Sequence, residues 1–502
     1  MAISNEKEQN KYQSTRGGEK GLSSLEAVLK GISTDGGLFV PYYIEKEKYN
    51  DLKKIFLNNV TDKVEATYEQ VAFEIMKTFF TDLEEEELKA CIGRAYTDKF
   101  EVKVKNNFLE LYHGPTCAFK DGALLFLPQL MTEARRKLNF QNEIVILTAT
   151  SGDTGKAALE GFKDIDGLKV IVFYPKNGVS KIQEMQMRTQ RGNNVDVVSI
   201  DGNFDDAQKG VKEIFNDKKF NEFIEKSGYS LSSANSINVG RLIPQIVYYF
   251  YGYFQMVNKG DISLDEKINI VVPTGNFGNI LAAYYGKIMG LPINKLICAS
   301  NENNVLTDFF ATGVYDKRRE LVLTQSPSMD ILVSSNLERL IYEVSGRNSE
   351  LVNNLMNDLQ ERSIYSIPAE LKSKFTHFWG GYATEEEVYA SIKKVYEEKN
   401  YVIDTHTAVA NVVYEKYKHN TGDTTVPLIA STASPFKFPE SICKALGILQ
   451  EEKDFALLDL LSEKCKLDIP HSLAELDKLP VLHSTECRKD EMRDAIKKLL
   501  NL

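Results

Sequence analysis

An open α/β fold built on parallel strands is predicted for this chain by three observations. From residue 106 onward, short apolar runs alternate with longer amphipathic ones, as strands separated by crossover helices do. Several of the short runs are apolar almost throughout, which fits strands buried on both faces. Glycine, hydroxyl and amide residues collect where those runs end, and that is where an open sheet holds its ligands.

The elements follow in order. Residues 1–105 read as a mainly helical leading region. Apolar residues have helical spacing over Leu22 to Leu29 and Tyr68 to Phe80, and Glu84 to Glu87 form an acidic helix start. The α/β core is expected over 106–440. Its strands are predicted at Phe108–Tyr112, Glu143–Ala149, Lys169–Tyr174, Val195–Ile200, Ile268–Val272, Leu296–Ala299 and Val426–Ala430. Its helices are predicted at 123–138, 155–163, 180–190, 205–216, 239–257 and 279–289. Residues 336–400 read as a helical insertion, with Thr384 and Glu387 as a capping box. A helical tail is expected over 441–502.

Composition narrows the function class. The 502 residues are 43% hydrophobic and 26% charged, ordinary for a globular protein with material for more than one core. Sixty-one basic and 71 acidic residues give a net charge of −10. An anionic ligand therefore needs local positive groups, and nucleic-acid binding is not expected. Six cysteines and six histidines are scattered without a paired spacing, so no metal site is expected and a reducing compartment is. The polar N-terminus carries no apolar leader and no run is long enough to span a membrane, so the expectation is a cytosolic protein away from membranes.

Five strand-to-helix junctions carry the chemistry. The first is His113-Gly114-Pro115-Thr116-Cys117-Ala118-Phe119-Lys120-Asp121. An amine at Lys120 invites a Schiff base with an aldehyde cofactor such as pyridoxal phosphate, an electron sink. His113 is a candidate to stack on or bond a ring, and Thr116 and Asp121 to orient groups beside the lysine. The second, Thr148 to Gly155, offers an anion cradle with Ser151 and Thr154 as donors, or a plain helix cap. The third runs from Ser232 to Arg241. Its row of neutral donors surrounds Arg241, a candidate clamp for phosphate or carboxylate. In the fourth, a buried strand runs into Thr274-Gly275-Asn276-Phe277-Gly278-Asn279, a phosphate cup of backbone N–H groups that matches neither the P-loop nor the dinucleotide spacing. The fifth is Ala430 to Phe438, where a hydroxyl could face a pyridine nitrogen.

These strings together resemble those of threonine synthases, pyridoxal-phosphate enzymes of fold type II. The resemblance runs along nearly the whole chain. It includes Tyr12 to Gly17, the five junctions, Ser326 to Asn336 and Asp404 to Ala410. The insertion before residue 400 resembles that of the longer fungal- and enterobacterial-like branch. The resemblance implies two doubly wound open-sheet lobes, with a smaller mobile lobe at roughly 121–250. It implies that Lys120 carries the cofactor and acts as the catalytic base. Gly275, Asn276, Phe277, Gly278 and Asn279 would hold the cofactor phosphate, and Thr432 would face the ring nitrogen. Ser151, Thr154, Asn235, Ser236, Asn238 and Arg241 would bind the substrate, O-phospho-L-homoserine, whose products are L-threonine and phosphate. Family members occur as monomers and homodimers.

Two rival readings remain open. A phospholyase on the same scaffold would release a 2-keto acid, ammonia and phosphate, though the intact Ser232 to Asn238 and Ser326 to Leu332 strings favour threonine. A cofactor-binding protein without turnover would lack the lysine, which is present here.

Overall fold

Two open sheets organise the chain. The computed structural model describes residues 11–58, 63–150, 152–176, 178–448 and 454–502. We number the strands of the two sheets in chain order: β1 Glu101–Lys105, β2 Phe108–His113, β3 Glu143–Ala149, β4 Leu168–Pro175, β5 Val195–Asp201, β6 Tyr229–Ser232, β7 Ile268–Pro273, β8 Ile293–Ser300, β9 Phe378–Tyr382, β10 Pro427–Ser431 and β11 Thr485–Arg488. The larger sheet has the order β9–β8–β7–β10–β2–β1, and the smaller has β6–β3–β4–β5–β11. Every neighbouring pair is parallel except β1 with β2. This is the doubly wound α/β class predicted, in two lobes.

All seven predicted strands are present, extended by a residue or more in several cases. The four that the periodicity did not predict are β1, β6, β9 and β11, the edge strands of the two sheets. An edge strand is covered less completely, so it lacks the unbroken apolar run of an interior one. β1 alternates exposed and buried residues along Glu101–Lys105, and β11 has no fully buried residue. Two expectations change as a result. The 336–400 insertion is not wholly helical, since it supplies β9 and the short strand Ile364–Ser366. The 441–502 tail is not wholly helical either, since it sends β11 back to the smaller sheet.

The N-terminal region holds the expected helices, Ser24–Lys30, Tyr68–Met76 and Glu85–Tyr96. The first two start at capping boxes, Ser23 with Glu26 and Thr67 with Gln70. It also folds a small antiparallel sheet from Tyr12–Ser14, Lys20–Leu22 and Phe39–Pro41. Those strands are three residues each, too short to show a period. Proline accounts for one broken helix: the run predicted at 239–257 divides into Val239–Leu242 and Pro244–Lys259, because Pro244 has no N–H for the preceding turn.

Three apolar clusters hold the layers together. One runs from the N-terminal region through both sheets. Another packs the helices Glu385–Lys399, Thr405–Thr421 and Ala456–Cys465 under the larger sheet. The third packs Phe204–Asn216, Lys218–Lys226 and the tail helix Met492–Leu499 on the smaller sheet. Among the described residues, no helix is long and apolar enough to cross a membrane.

Candidate active site

Strand order explains where the site lies. In the smaller sheet the chain runs β3, β4, β5 in one direction and then places β6 on the other side of β3. In the larger sheet it runs β7, β8, β9 outward and returns to insert β10 between β7 and β2. Ligands bind outside the carboxyl ends of strands at such reversals. The segments leaving β3 and β6, and those leaving β2, β7 and β10, all line one cavity of about 1700 Å³.

Lys120 lies in that cavity and is only 7% exposed. Its Nζ is 3.3 Å from Ser328 Oγ and 3.5 Å from Asp153 Oδ2. Burial pushes its ammonium down from the usual lysine range, and Asp153 pulls it back up. The loop that carries it is fastened to the segment after β10. Phe119 N–H donates to the Thr432 carbonyl at 2.8 Å, and Ser434 N–H to the Cys117 carbonyl at 3.0 Å. Asp121 closes the loop from within, accepting from Thr116 N–H at 2.8 Å and from its hydroxyl at 2.6 Å.

The turn after β7 lines the cavity, and two of its carbonyls are engaged by side chains. Ser334 Oγ donates to the Gly275 carbonyl at 2.6 Å, and Asn336 Nδ2 to that of Asn276 at 2.9 Å. The helix Gly278–Ile288 starts here, and the first N–H groups of a helix have no partner within it. Phe277 holds a left-handed φ of +62°, its ring buried against Phe310 and Phe378. Asn279 Oδ1 accepts from the hydroxyls of Tyr248 and Tyr249, which leaves its buried Nδ2 without a partner.

Arg241 is 3% exposed and lines the same cavity. One terminal nitrogen donates to the Ala234 carbonyl at 2.9 Å, and Nε has no partner. Burial pushes the guanidinium down to about 10, so it remains a cation at neutral pH. It makes no ion pair among the described residues, an expensive state unless an anion joins it.

The structure gathers most of the predicted residues. Lys120, Thr154, Asn235, Ser236, Arg241, Gly275 to Asn279 and Thr432 all line the cavity. Ser151 lies outside the described residues. Asn238 departs from the expectation: it is wholly buried and caps a helix, donating to the Val28 and Ser233 carbonyls and accepting from Gly240 N–H. Both ends of its amide bond backbone, so it shapes the loop, and it is not among the residues that line the cavity. His113 pairs with Glu110 at 2.6 Å and lies outside the main cavity. The glycines around Asp153 are explained by packing: a Cβ on Gly152 would meet Gln183 at 2.4 Å, and one on Gly155 would meet Thr150 at 2.5 Å. Sequence reasoning assigned no role to Asp153, Ser328 or His406, which also line the cavity. His406 Nδ1 is 2.9 Å from Asp404 Oδ2, and its Nε2 is buried without a partner. All three stood inside strings singled out above, and only their spatial neighbours give them meaning.

Comparison with known proteins decides the family. The family models "Threonine synthase N terminus", "Pyridoxal-phosphate dependent enzyme" and "Threonine synthase, C-terminal" match residues 11–96, 108–431 and 407–492. The threonine synthase of Saccharomyces cerevisiae is 37% identical over 476 residues, covering 87% of this chain and 89% of the yeast protein. The chain belongs to the threonine synthase family. The crystal structure of threonine synthase from yeast matches with a TM-score of 0.84 at 33% identity, covering 98% of this chain and 99% of that one. The PLP-bound threonine synthase of Brucella melitensis matches with a TM-score of 0.83 at 31% identity, over 97% and 99%. Human "Threonine synthase-like 1" is 40% identical over 84% of this chain, but the chain spans only 58% of the human protein's length.

The residues present fit the pyridoxal phosphate of this threonine synthase family. The cavity is lined by Lys120, which offers an amine, and by the N-terminus of the helix Gly278–Ile288, whose first N–H groups have no partner within the helix. It also contains the unpartnered donor Asn279 Nδ2. At Gly275 a Cβ would stand 2.6 Å from the Ser328 carbonyl, so the turn keeps its shape only without a side chain. No group of three or more metal-ligating side chains occurs among the described residues.

Proposed function

We propose that this protein converts O-phospho-L-homoserine and water into L-threonine and phosphate, the last step of threonine biosynthesis. The observation that carries the reading is Arg241, a buried cation that makes no ion pair among the described residues and lines the same cavity as the Lys120 amine. A substrate with an amine to exchange and two anionic groups to neutralise suits that pairing. Cytosolic location belongs to the same proposal, since the six cysteines are all free.

In this reading Lys120 carries the cofactor, Gly275 to Asn279 hold its phosphate, and Thr432 faces its ring. When bound, pyridoxal phosphate supplies an electron sink for charge left on a substrate carbon. Lys120 carries protons to and from the substrate carbons, for which a desolvated amine with a lowered proton affinity is suited. Arg241 anchors an anionic group of the substrate, with Thr154, Asn235 and Ser236 adding neutral donors. The surrounding lobes exclude stray water, so the one water that adds does so under control.

Incubating purified protein with O-phosphohomoserine tests the reading. Threonine and phosphate in equal amounts are expected, while a keto acid as the main product would overturn it. Wild-type protein should be yellow, with the colour fixed to Lys120 after borohydride treatment, and Lys120→Ala should be colourless and inactive. A Lys120→Ala protein with wild-type turnover would remove the lysine from the chemistry.

A further inference from the structure

Two lysines and one aspartate meet at the cavity wall. Lys437 follows β10 and is wholly buried. Its Nζ lies 2.8 Å from Asp153 Oδ1 and donates to the Thr116 carbonyl at 2.9 Å. Asp153 comes from the other sheet, at the start of the helix Asp153–Phe162. Its second oxygen, Oδ2, is the one 3.5 Å from Lys120 Nζ. Gln183 Nε2 donates to Oδ1 at 3.0 Å, which keeps the carboxylate from turning. Asp153 and Lys120 line the cavity, whereas Lys437 does not.

A buried ammonium is costly, and an apolar side chain of the same length would pack there at less cost. The charge count gives the lysine a purpose. If Lys120 were the only partner of Asp153, each proton lost by Lys120 would leave a buried, unpaired carboxylate. The carboxylate would then resist the loss or take up a proton itself. With Lys437 fixed on Oδ1, Asp153 is paired whatever Lys120 does.

We propose that Lys437 is a positioning residue: it holds Asp153 as a permanent carboxylate across the boundary of the two sheets, so that Lys120 alone gains and loses the proton. The inference rests on the reading of Lys120 as the proton carrier. The other ionisable groups facing the trio are Asp121 and Cys117 from the lysine loop, Lys156 from the helix of Asp153, and Arg241 from the segment after β6. Burial pushes the Asp153 carboxyl up, and the two lysines outweigh that and hold it far below the usual range.

The test uses the holoenzyme. Absorbance of the bound cofactor and the rate of threonine formation are followed against pH in wild type, Lys437→Arg, Lys437→Met, Asp153→Asn and the double variant Lys437→Met/Asp153→Asn. In Lys437→Met, Asp153 serves Lys120 alone, so the midpoint at Lys120 should rise by about one pH unit or more, a tenfold change in proton affinity. In Asp153→Asn two cations face each other and the midpoint should fall. Lys437→Arg should keep the wild-type midpoint. A Lys437→Met midpoint equal to wild type would overturn the proposal. If Lys437→Met does not fold, the comparison passes to Asp153→Asn against the double variant. With Asp153 gone, Lys437 has no carboxylate to hold, so its removal should move the midpoint by less than about one pH unit, and a larger rise would show that Lys437 acts on Lys120 directly and overturn the proposal. Wild-type protein that attaches no cofactor at Lys120 would overturn the site reading and this inference together. Normal attachment with unmoved midpoints would overturn this inference alone.

Discussion

Two buried arginines show how partners distinguish roles. Arg339 is wholly buried and donates to the carbonyls of Phe39 and Ile237 and to Asn336 Oδ1. Those contacts tie three distant segments together, so Arg339 is structural. Arg241 lines the cavity, donates to one carbonyl and has an Nε without a partner. Hydrogen bonds to charged groups contribute about 1.5–3 kcal/mol each. Arg241→Met should therefore lower kcat/KM by roughly 10- to 100-fold or more while cofactor absorbance persists. The same change should raise the melting temperature of the ligand-free protein, because it removes an uncompensated buried charge. Inorganic phosphate should stabilise wild type and not the variant, since a ligand stabilises only the state that binds it. Melting curves with and without phosphate check both statements, and identical curves for the two proteins would make Arg241 structural as well.

At the level of elements, the turn between β7 and the helix Gly278–Ile288 is held from outside. The segment Ser326 to Asn336 supports it: Ser334 and Asn336 take its carbonyls, and the Ser328 carbonyl fills the space beside Gly275. The left-handed φ at Phe277 costs roughly 1 kcal/mol or more and is offset by burial of its ring. Gly275→Ala would press a methyl group into the Ser328 backbone. Overpacking of this kind costs about 1–3 kcal/mol. Cofactor affinity should fall tenfold or more, because the N–H groups move as a set. Fluorescence titration of cofactor-free protein with pyridoxal phosphate measures this, and unchanged affinity would show that the turn does not hold the phosphate.

At the level of the whole molecule, the chain's last residues stabilise the lobe that carries half of the site. β11 pairs with β5 at the edge of the smaller sheet. The helix behind it buries Met492, Ile496 and Leu500 on that sheet. None of residues 485–502 lines the cavity. Ile496→Ala should cost about 2–5 kcal/mol of stability and leave kcat near wild type at low temperature. Chemical denaturation and steady-state kinetics on the same preparation separate the two. A variant of wild-type stability would mean that the tail helix packs without load.

The sequence by itself determined the interior strands, because a strand covered on both faces must be apolar along its length and that signature is local. It also located the junctions that carry Lys120, Gly275 to Asn279 and Thr432, since glycine and small polar residues after such strands have few other uses, and it located Arg241 by the row of neutral donors before it. The tertiary structure decided the four edge strands, which lack the unbroken apolar run of an interior one. It alone decided which polar groups are free to meet a ligand. Asn238 and Asn279 are both buried amides at helix starts, yet Asn238 is consumed by carbonyls that include one 210 residues away, whereas two tyrosines orient Asn279 and leave its donor open. The pairing of Lys437 with Asp153 joins segments from different sheets. Hydrogen-bond capacity belongs to a residue, but what satisfies it belongs to the fold, and local sequence carries no record of a partner that arrives from elsewhere in the chain.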